Sequence, residues 1–146
     1  MDIVEQLVKL YFNDELYTKS LTELEARRYY SKMLAHGRVQ VYLDKCNVIG
    51  LIESWRLTYE QLGRVICWTE FDALEEDVNQ GDVLYISDIY IVPHKRNNGV
   101  LKILMKMLEE SNQTAKYGVS RRVKLDKVKY YRVYDKEVAW KKKEND

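Results

Sequence analysis

The stretch DIYIVPHKRNNG, residues 88–99, runs straight into VLKILMKMLEE, residues 100–110. A β-branched and aromatic run ended by Pro93, then a polar turn at 96–99, then apolar residues at helical spacing spell strand, glycine turn and helix start. That arrangement has a chemistry of its own. The first N–H groups of a helix have no acceptor within it and lie at the positive end of its dipole. A diphosphate placed there is stabilised by backbone geometry alone. Asn97 and Asn98 suit the turn because Asn tolerates left-handed backbone, and Gly99 precedes the helix. The turn at 96–99 and the helix start that follows it therefore form a generic candidate anion cradle.

Other chemistry-bearing residues are less patterned. Glu70, Asp72, Glu75, Glu76, Asp77 and Asp82 crowd one segment but lack the spacing of a calcium loop. They read as a solvated loop, and no metal is expected. Cys46 and Cys67 have no CxxC or metal-ligand spacing and read as two free, buried thiols of a reducing cytoplasm. His36 precedes Gly37 at a helix end, where a cation is favoured, and His94 reads as an exposed turn residue beside the cradle.

The elements that must position the cradle follow from periodicity. Ile3, Leu7, Val8 and Leu10 predict a first helix over 2–12. Residues 20–22 offer N-caps for a second over 21–36, with Glu23 and Glu25 in its first turn and Gly37 at its end. Val39 to Leu43 alternates like a strand, DKCN at 44–47 is a turn, and 48–55 returns as the partner of a hairpin. Gly63 to Trp68, GRVICW, predicts a further strand. Val83 to Pro93 is the strongest strand, apolar almost throughout, as suits burial on both faces. Beyond Gln113, Tyr117 to Leu125 reads as a strand, 127–134 as helix or strand, and 137–140 as a last strand. No repeat, linker or low-complexity segment interrupts the chain, so 1–146 is expected to form one domain.

With these elements in place, the central segment resembles the acetyl-CoA signature of the GNAT family of N-acetyltransferases. In that family a strand ends in a pattern like l-y-V-x-P-x-x-R-x-x-G-x-G/A, followed by a helix with a Leu-rich face. Ile89, Tyr90 and Ile91 match the strand end, Pro93 the proline, Arg96 the arginine and Gly99 the first glycine. Leu101 departs from the pattern, standing where the family has Gly or Ala. Two helices and a hairpin with "viG" before the signature fit as well, and the resemblance spans residues 15–111. It implies an α/β fold, a GNAT-like mixed and mainly antiparallel central sheet flanked by helices.

The resemblance also implies the reaction: transfer of an acetyl group from acetyl-CoA, without a metal, to a primary amine of a small molecule or protein. The loop Arg96–Leu101 would hold the CoA diphosphate, and the backbone of Ile91 and Val92 would pair with the pantetheine arm. Amine attack needs a base. The candidates are Asp88, which otherwise reads as a structural residue, and Glu53, which otherwise reads as a solvated strand residue. Tyr131, in KYYRVYDKEVAW, lies nearest the family's tyrosine that protonates the departing thiolate. Two rival readings stand beside this one. The first is a catalytically inactive GNAT-fold interaction module. The second is a nucleic-acid-facing protein using its basic C-terminal quarter.

Charge bears on that second rival. Formal net charge is +1, but residues 1–113 carry 13 Lys and Arg against 18 Asp and Glu, whereas 114–146 carry 11 against 5. Arg121, Arg122, Lys124, Lys127, Lys129 and Arg132 share this stretch with Tyr130, Tyr131 and Tyr134, a mixture suited to phosphate contact and base stacking. Near-neutrality of the whole argues against non-specific nucleic-acid binding. No apolar run approaches the roughly 20 residues of a membrane helix, and no signal peptide is evident. A cytoplasmic location with no membrane partner is expected. The resemblance admits a homodimer, which no feature of the sequence specifies.

Overall fold

A computed structural model describes residues 2–14, 20–67, 70–123 and 129–135, with the backbone alone for 121–123 and 129–135. Two helices come first, α1 (Ile3–Asn13) and α2 (Glu23–Ala35). Each begins where a side chain satisfies an amide that the helix leaves unpaired. Asp2 Oδ1 accepts from Glu5 N at 2.8 Å. Thr22 and Glu25 form a reciprocal capping box, with bonds of 3.2 and 3.0 Å. A hairpin follows, β1 (Val39–Asp44) and β2 (Asn47–Leu57), turning through Lys45 and Cys46 at positive φ.

The predicted strand at 63–68 is not formed. Residues Tyr59–Ile66 are helix α3 instead. Thr58 Oγ1 accepts from Gln61 N at 3.1 Å and Gln61 Oε1 from Thr58 N at 2.9 Å. This capping box starts a helix whose Leu62 and Val65 pack onto the core, so GRVI becomes its last turns. An irregular acidic stretch then leads to β3 (Val83–Ile91), a short 3₁₀ turn at Pro93–Lys95, and α4 (Val100–Ser111). Strands β4 (Tyr117–Val123) and β5 (Lys129–Asp135) close the described chain. The segment left open as helix or strand is thus β5, and 137–140 lies outside the described residues.

The five strands lie in chain order, β1-β2-β3-β4-β5. All neighbours are antiparallel except β3 and β4, which run parallel. The sheet divides two cores. On one face Leu7, Tyr11, Ala26 and Met33 of the first two helices meet Leu51, Leu57, Val83 and Tyr85. On the other, Val100, Leu104 and Leu108 of α4 meet Ile52, Leu84 and Ile86. Helix α4 sits close because β2 carries Gly50 beneath it. A Cβ there would lie 2.9 Å from Val100 Cγ1 and 3.2 Å from Leu104 Cδ1.

Two expectations about burial are corrected. Cys46 and Cys67 are free but exposed, because one occupies the hairpin turn and the other the C-terminal cap of α3. Burial of β3 on both faces holds only for its first half, since Ile89 is 44% exposed. Among the described residues, no helix is long and apolar enough to cross a membrane. No group of three or more His, Cys, Asp or Glu among them could hold a metal ion.

Candidate active site

The parallel pair β3 and β4 is joined only at Val83–Ile86 with Tyr117–Ser120. Beyond Ile86 the strands part, although β3 continues to Ile91 and β4 to Val123. At the parting point β3 carries one extra residue. Glu53 stands opposite Asp88, but the next residue, Ser54, stands opposite Ile86, leaving Ser87 as a β-bulge. A single inserted residue reverses the alternation of side chains. Val83 and Tyr85 face α1 and α2 while Leu84 and Ile86 face α4; past the bulge Tyr90 faces α1 and α2 and Ile91 faces α4. Ser87 and Asp88 therefore point to the same side, the side of Glu53.

Glu53 is 4% exposed and buried beneath α2. Its Oε1 accepts hydrogen bonds from the Ser87 hydroxyl at 2.7 Å and from the Tyr29 hydroxyl. The Tyr29 oxygen in turn accepts from Trp55 Nε1 at 3.0 Å. The solvated strand residue expected at this position is thus a buried carboxyl, because from Leu51 onward the odd positions of β2 face the first two helices. Burial pushes its pKa up to about 7, and the Asp88 carboxylate adds to the rise. Donation from Tyr29, Ser87 and Trp55 opposes it by favouring the charged form. Burial and the neighbouring Glu53 hold the Tyr29 phenol well above its ordinary value. Tyr30 is raised by burial and by both Glu53 and Asp88.

Strand β3 leads from this cluster to the turn. Val92 N–H donates to Ile49 O at 2.9 Å, so its backbone faces β2 and not the side expected for pairing with a pantetheine arm. By alternation the N–H and C=O of Ile91 and Ile89 face the opposite way, into the gap where β4 has left. Ile91 O receives Arg96 Nε at 2.8 Å, and the Arg96 guanidinium lies over the Tyr90 ring at 5.8 Å. Arg96 thereby fixes the exit from β3. Asn97 (φ 66°) and Gly99 (φ 81°) both take left-handed backbone. The first bond of α4 runs from Ile103 N to Gly99 O at 3.3 Å, leaving the amides of Val100, Leu101 and Lys102 with no helical acceptor. Val100 is buried, whereas Leu101 is 46% exposed and turned away from the packed side of α4.

The structure thus gathers Glu53 and Asp88 at the parting of the strands and places 96–101 at the mouth of α4. Tyr131 lies on β5 opposite Arg121, past the last residue of β4 that pairs with β3; its position is known from backbone alone. Arg122 faces Tyr130 in the same ladder, and Lys124 and Lys127 lie outside the described residues. His36 caps α2, with Nδ1 3.4 Å from Asn79 Nδ2, and His94 sits in the exposed 3₁₀ turn. Sequence reasoning missed Tyr29, Trp55 and Ser87. The only local sign of the last was the polar pair Ser87-Asp88 inside an otherwise apolar strand.

No protein-family model matches the chain, and no curated protein sequence does. Solved structures do resemble it. The loading GNATL domain of CurA from Lyngbya majuscula superposes with a TM-score of 0.58 at 17% identity, over 82% of this chain and 60% of that one. The GphF GNAT-like decarboxylase, solved with isobutyryl-CoA, gives 0.57 at 12% identity, over 84% and 63%. Naa20 from Chaetomium thermophilum, solved with a bisubstrate analogue, gives 0.55 at 19% identity, over 96% and 65%. The chain spans about three-fifths of the length of the first two. At such identities the likeness is one of fold.

Proposed function

Starting from a chain with the GNAT fold, we infer that it is an acyl-CoA-dependent N-acyltransferase, with acetyl-CoA as donor and a primary amine as acceptor. The observation that carries this reading is the parting of β3 from β4 at a bulge that holds a buried glutamate, on a strand leading into an open helix mouth. The two ends of that strand match the two ends of an acyl-CoA, a diphosphate and a thioester. A relative of the same fold was solved with an acyl-CoA and another with a bisubstrate analogue, which supports the same use here.

The residues present fit such a donor. The Arg96 N–H is taken by Pro93 O at 3.3 Å, which leaves the backbone amides of 97–102 around two left-handed residues, and a small anion-binding concavity of this kind favours phosphate. The backbone of Ile89 and Ile91 faces the gap and suits the amide groups of a pantetheine arm. The donor supplies an activated acyl group as its thioester. Glu53 supplies the base: an amine must shed a proton to acylate, and a carboxyl poised near neutrality is matched to that task. Asp88, on the same face, favours a cationic amine in the gap. Tyr131 is assigned the protonation of the leaving thiolate. Holding amine and thioester in one cleft contributes much of the remaining acceleration.

Thermal denaturation with acetyl-CoA tests the donor. At about 100 times the dissociation constant, a ligand specific for the folded state adds about 2.7 kcal/mol. That is a rise of several degrees for a chain of this size. An unchanged melting temperature at millimolar acetyl-CoA rules the donor out.

A further inference from the structure

The acyltransfer reading leaves a geometric gap between base and acceptor. Glu53 is 4% exposed, and α2 covers it with Tyr29 and Tyr30. An amine in the cleft between β3 and β4 meets other groups first. Ser87 is the half-buried residue at the apex of that cleft. It exists as an extra residue only because β3 bulges there, and its hydroxyl already donates to Glu53 Oε1 at 2.7 Å. A hydroxyl that donates keeps lone pairs with which to accept. Tyr29 has no such freedom: its oxygen accepts from Trp55 Nε1 and its proton goes to Glu53.

We propose that the Ser87 hydroxyl is the proton relay between the acceptor amine and Glu53. The proposal rests on the acyltransferase reading and adds a catalytic residue to it. The lone pair of the neutral amine forms the C–N bond at the thioester carbon. As it does so, one N–H proton passes to Ser87 Oγ while the Ser87 O–H proton passes to Glu53 Oε1, and the C–S bond breaks with the thiolate leaving. Ser87 ends as a neutral hydroxyl and Glu53 as a neutral carboxyl, which returns its proton to solvent between turnovers. Around Glu53 the titratable groups are Tyr29 and Tyr30 from α2 and Asp88 from β3, with Trp55 donating from its own strand.

The test compares the wild-type chain with Ser87→Ala, Ser87→Thr and Glu53→Gln. The probes are acetyl-CoA with spermidine, with L-2,4-diaminobutyrate and with a tetrapeptide bearing a free α-amine, followed from pH 5.5 to 9. Each variant is also melted with and without acetyl-CoA, which shows that it folds and binds the donor. A relay predicts that Ser87→Ala loses about 100-fold in kcat at every pH. It also predicts an unchanged KM for acetyl-CoA and a Ser87→Thr rate close to wild type. A residue that merely supports Glu53 predicts something else. Loss of its hydrogen bond would move the pH limb to the alkaline side, while the rate above that limb would reach the wild-type plateau. That recovered plateau overturns the relay. Wild-type protein that binds acetyl-CoA but turns over none of the three amines also overturns it and leaves the donor assignment intact. Absence of an acetyl-CoA-dependent rise in melting temperature removes the parent reading itself.

Discussion

Glu53 carries a carboxyl to a place water barely reaches, and its neighbours pull in opposite directions. Desolvation and Asp88 favour the neutral acid; the donors Tyr29, Ser87 and Trp55 favour the anion. The balance falls near neutrality, where a base is both available and strong enough to act. Since the proposed base works deprotonated, the rate should climb with pH through about 7 and then level. Glu53→Gln should flatten that climb and lower kcat by about 100-fold or more at pH 8, while the acetyl-CoA-dependent rise in melting temperature persists. A pH–rate profile of the two proteins, read beside their melting curves, decides this. A variant that kept the climb would remove Glu53 from the mechanism.

Among the elements, α4 has its site-forming end held by a short-range constraint. Gly50 lets β2 approach Val100 and Leu104. Gly50→Ala should push back the first turn of α4, lowering stability by about 1–3 kcal/mol and weakening acetyl-CoA more than that loss alone predicts. Urea unfolding and donor titration measure the two effects separately. Helix α3 depends on its cap: Thr58→Ala should cost about 1 kcal/mol with no change in donor affinity, since α3 is remote from the cradle. What was legible in the sequence follows the same division between local and distant causes. The strand, turn and helix over 83–111, the hairpin and the caps of α2 obey rules written within a few residues. Helix α3 was misread because an apolar run of a few residues does not declare its period, although the capping pair Thr58 and Gln61 stood just before it. The bulge at Ser87 left no sign beyond two polar letters. The burial of Glu53 depends on Tyr29, 24 residues away, and on Ser87, 34 residues away, so no local pattern could announce it.

For the whole molecule the buried carboxyl has an energetic consequence. Its pKa is about 7 when folded and near 4.5 when exposed, so between those values the folded chain binds more protons than the unfolded one. Stability should therefore be greatest with respect to this group below about pH 4.5 and fall as pH rises through 7, by about 3 kcal/mol in all. Glu53→Gln should melt higher than wild type at pH 8 and show little of that fall; differential scanning calorimetry across pH 4.5 to 8 would reveal it. The proposed activity needs the anion, whereas the fold prefers the acid.

The bulge also fixes the phase of everything downstream. Residues up to Ile86 and residues from Asp88 onward read the sheet half a period apart. A chain shortened by one residue at Ser87 would pair there as a regular strand, with Asp88 and Tyr90 still toward the first two helices and Ile91 still toward α4, and only the hydroxyl on Glu53 would be lost. A chain of unchanged length that paired without the bulge would instead turn Asp88 and Tyr90 toward α4 and Ile91 toward the first two helices. Arg96 would then lose the ring it lies over.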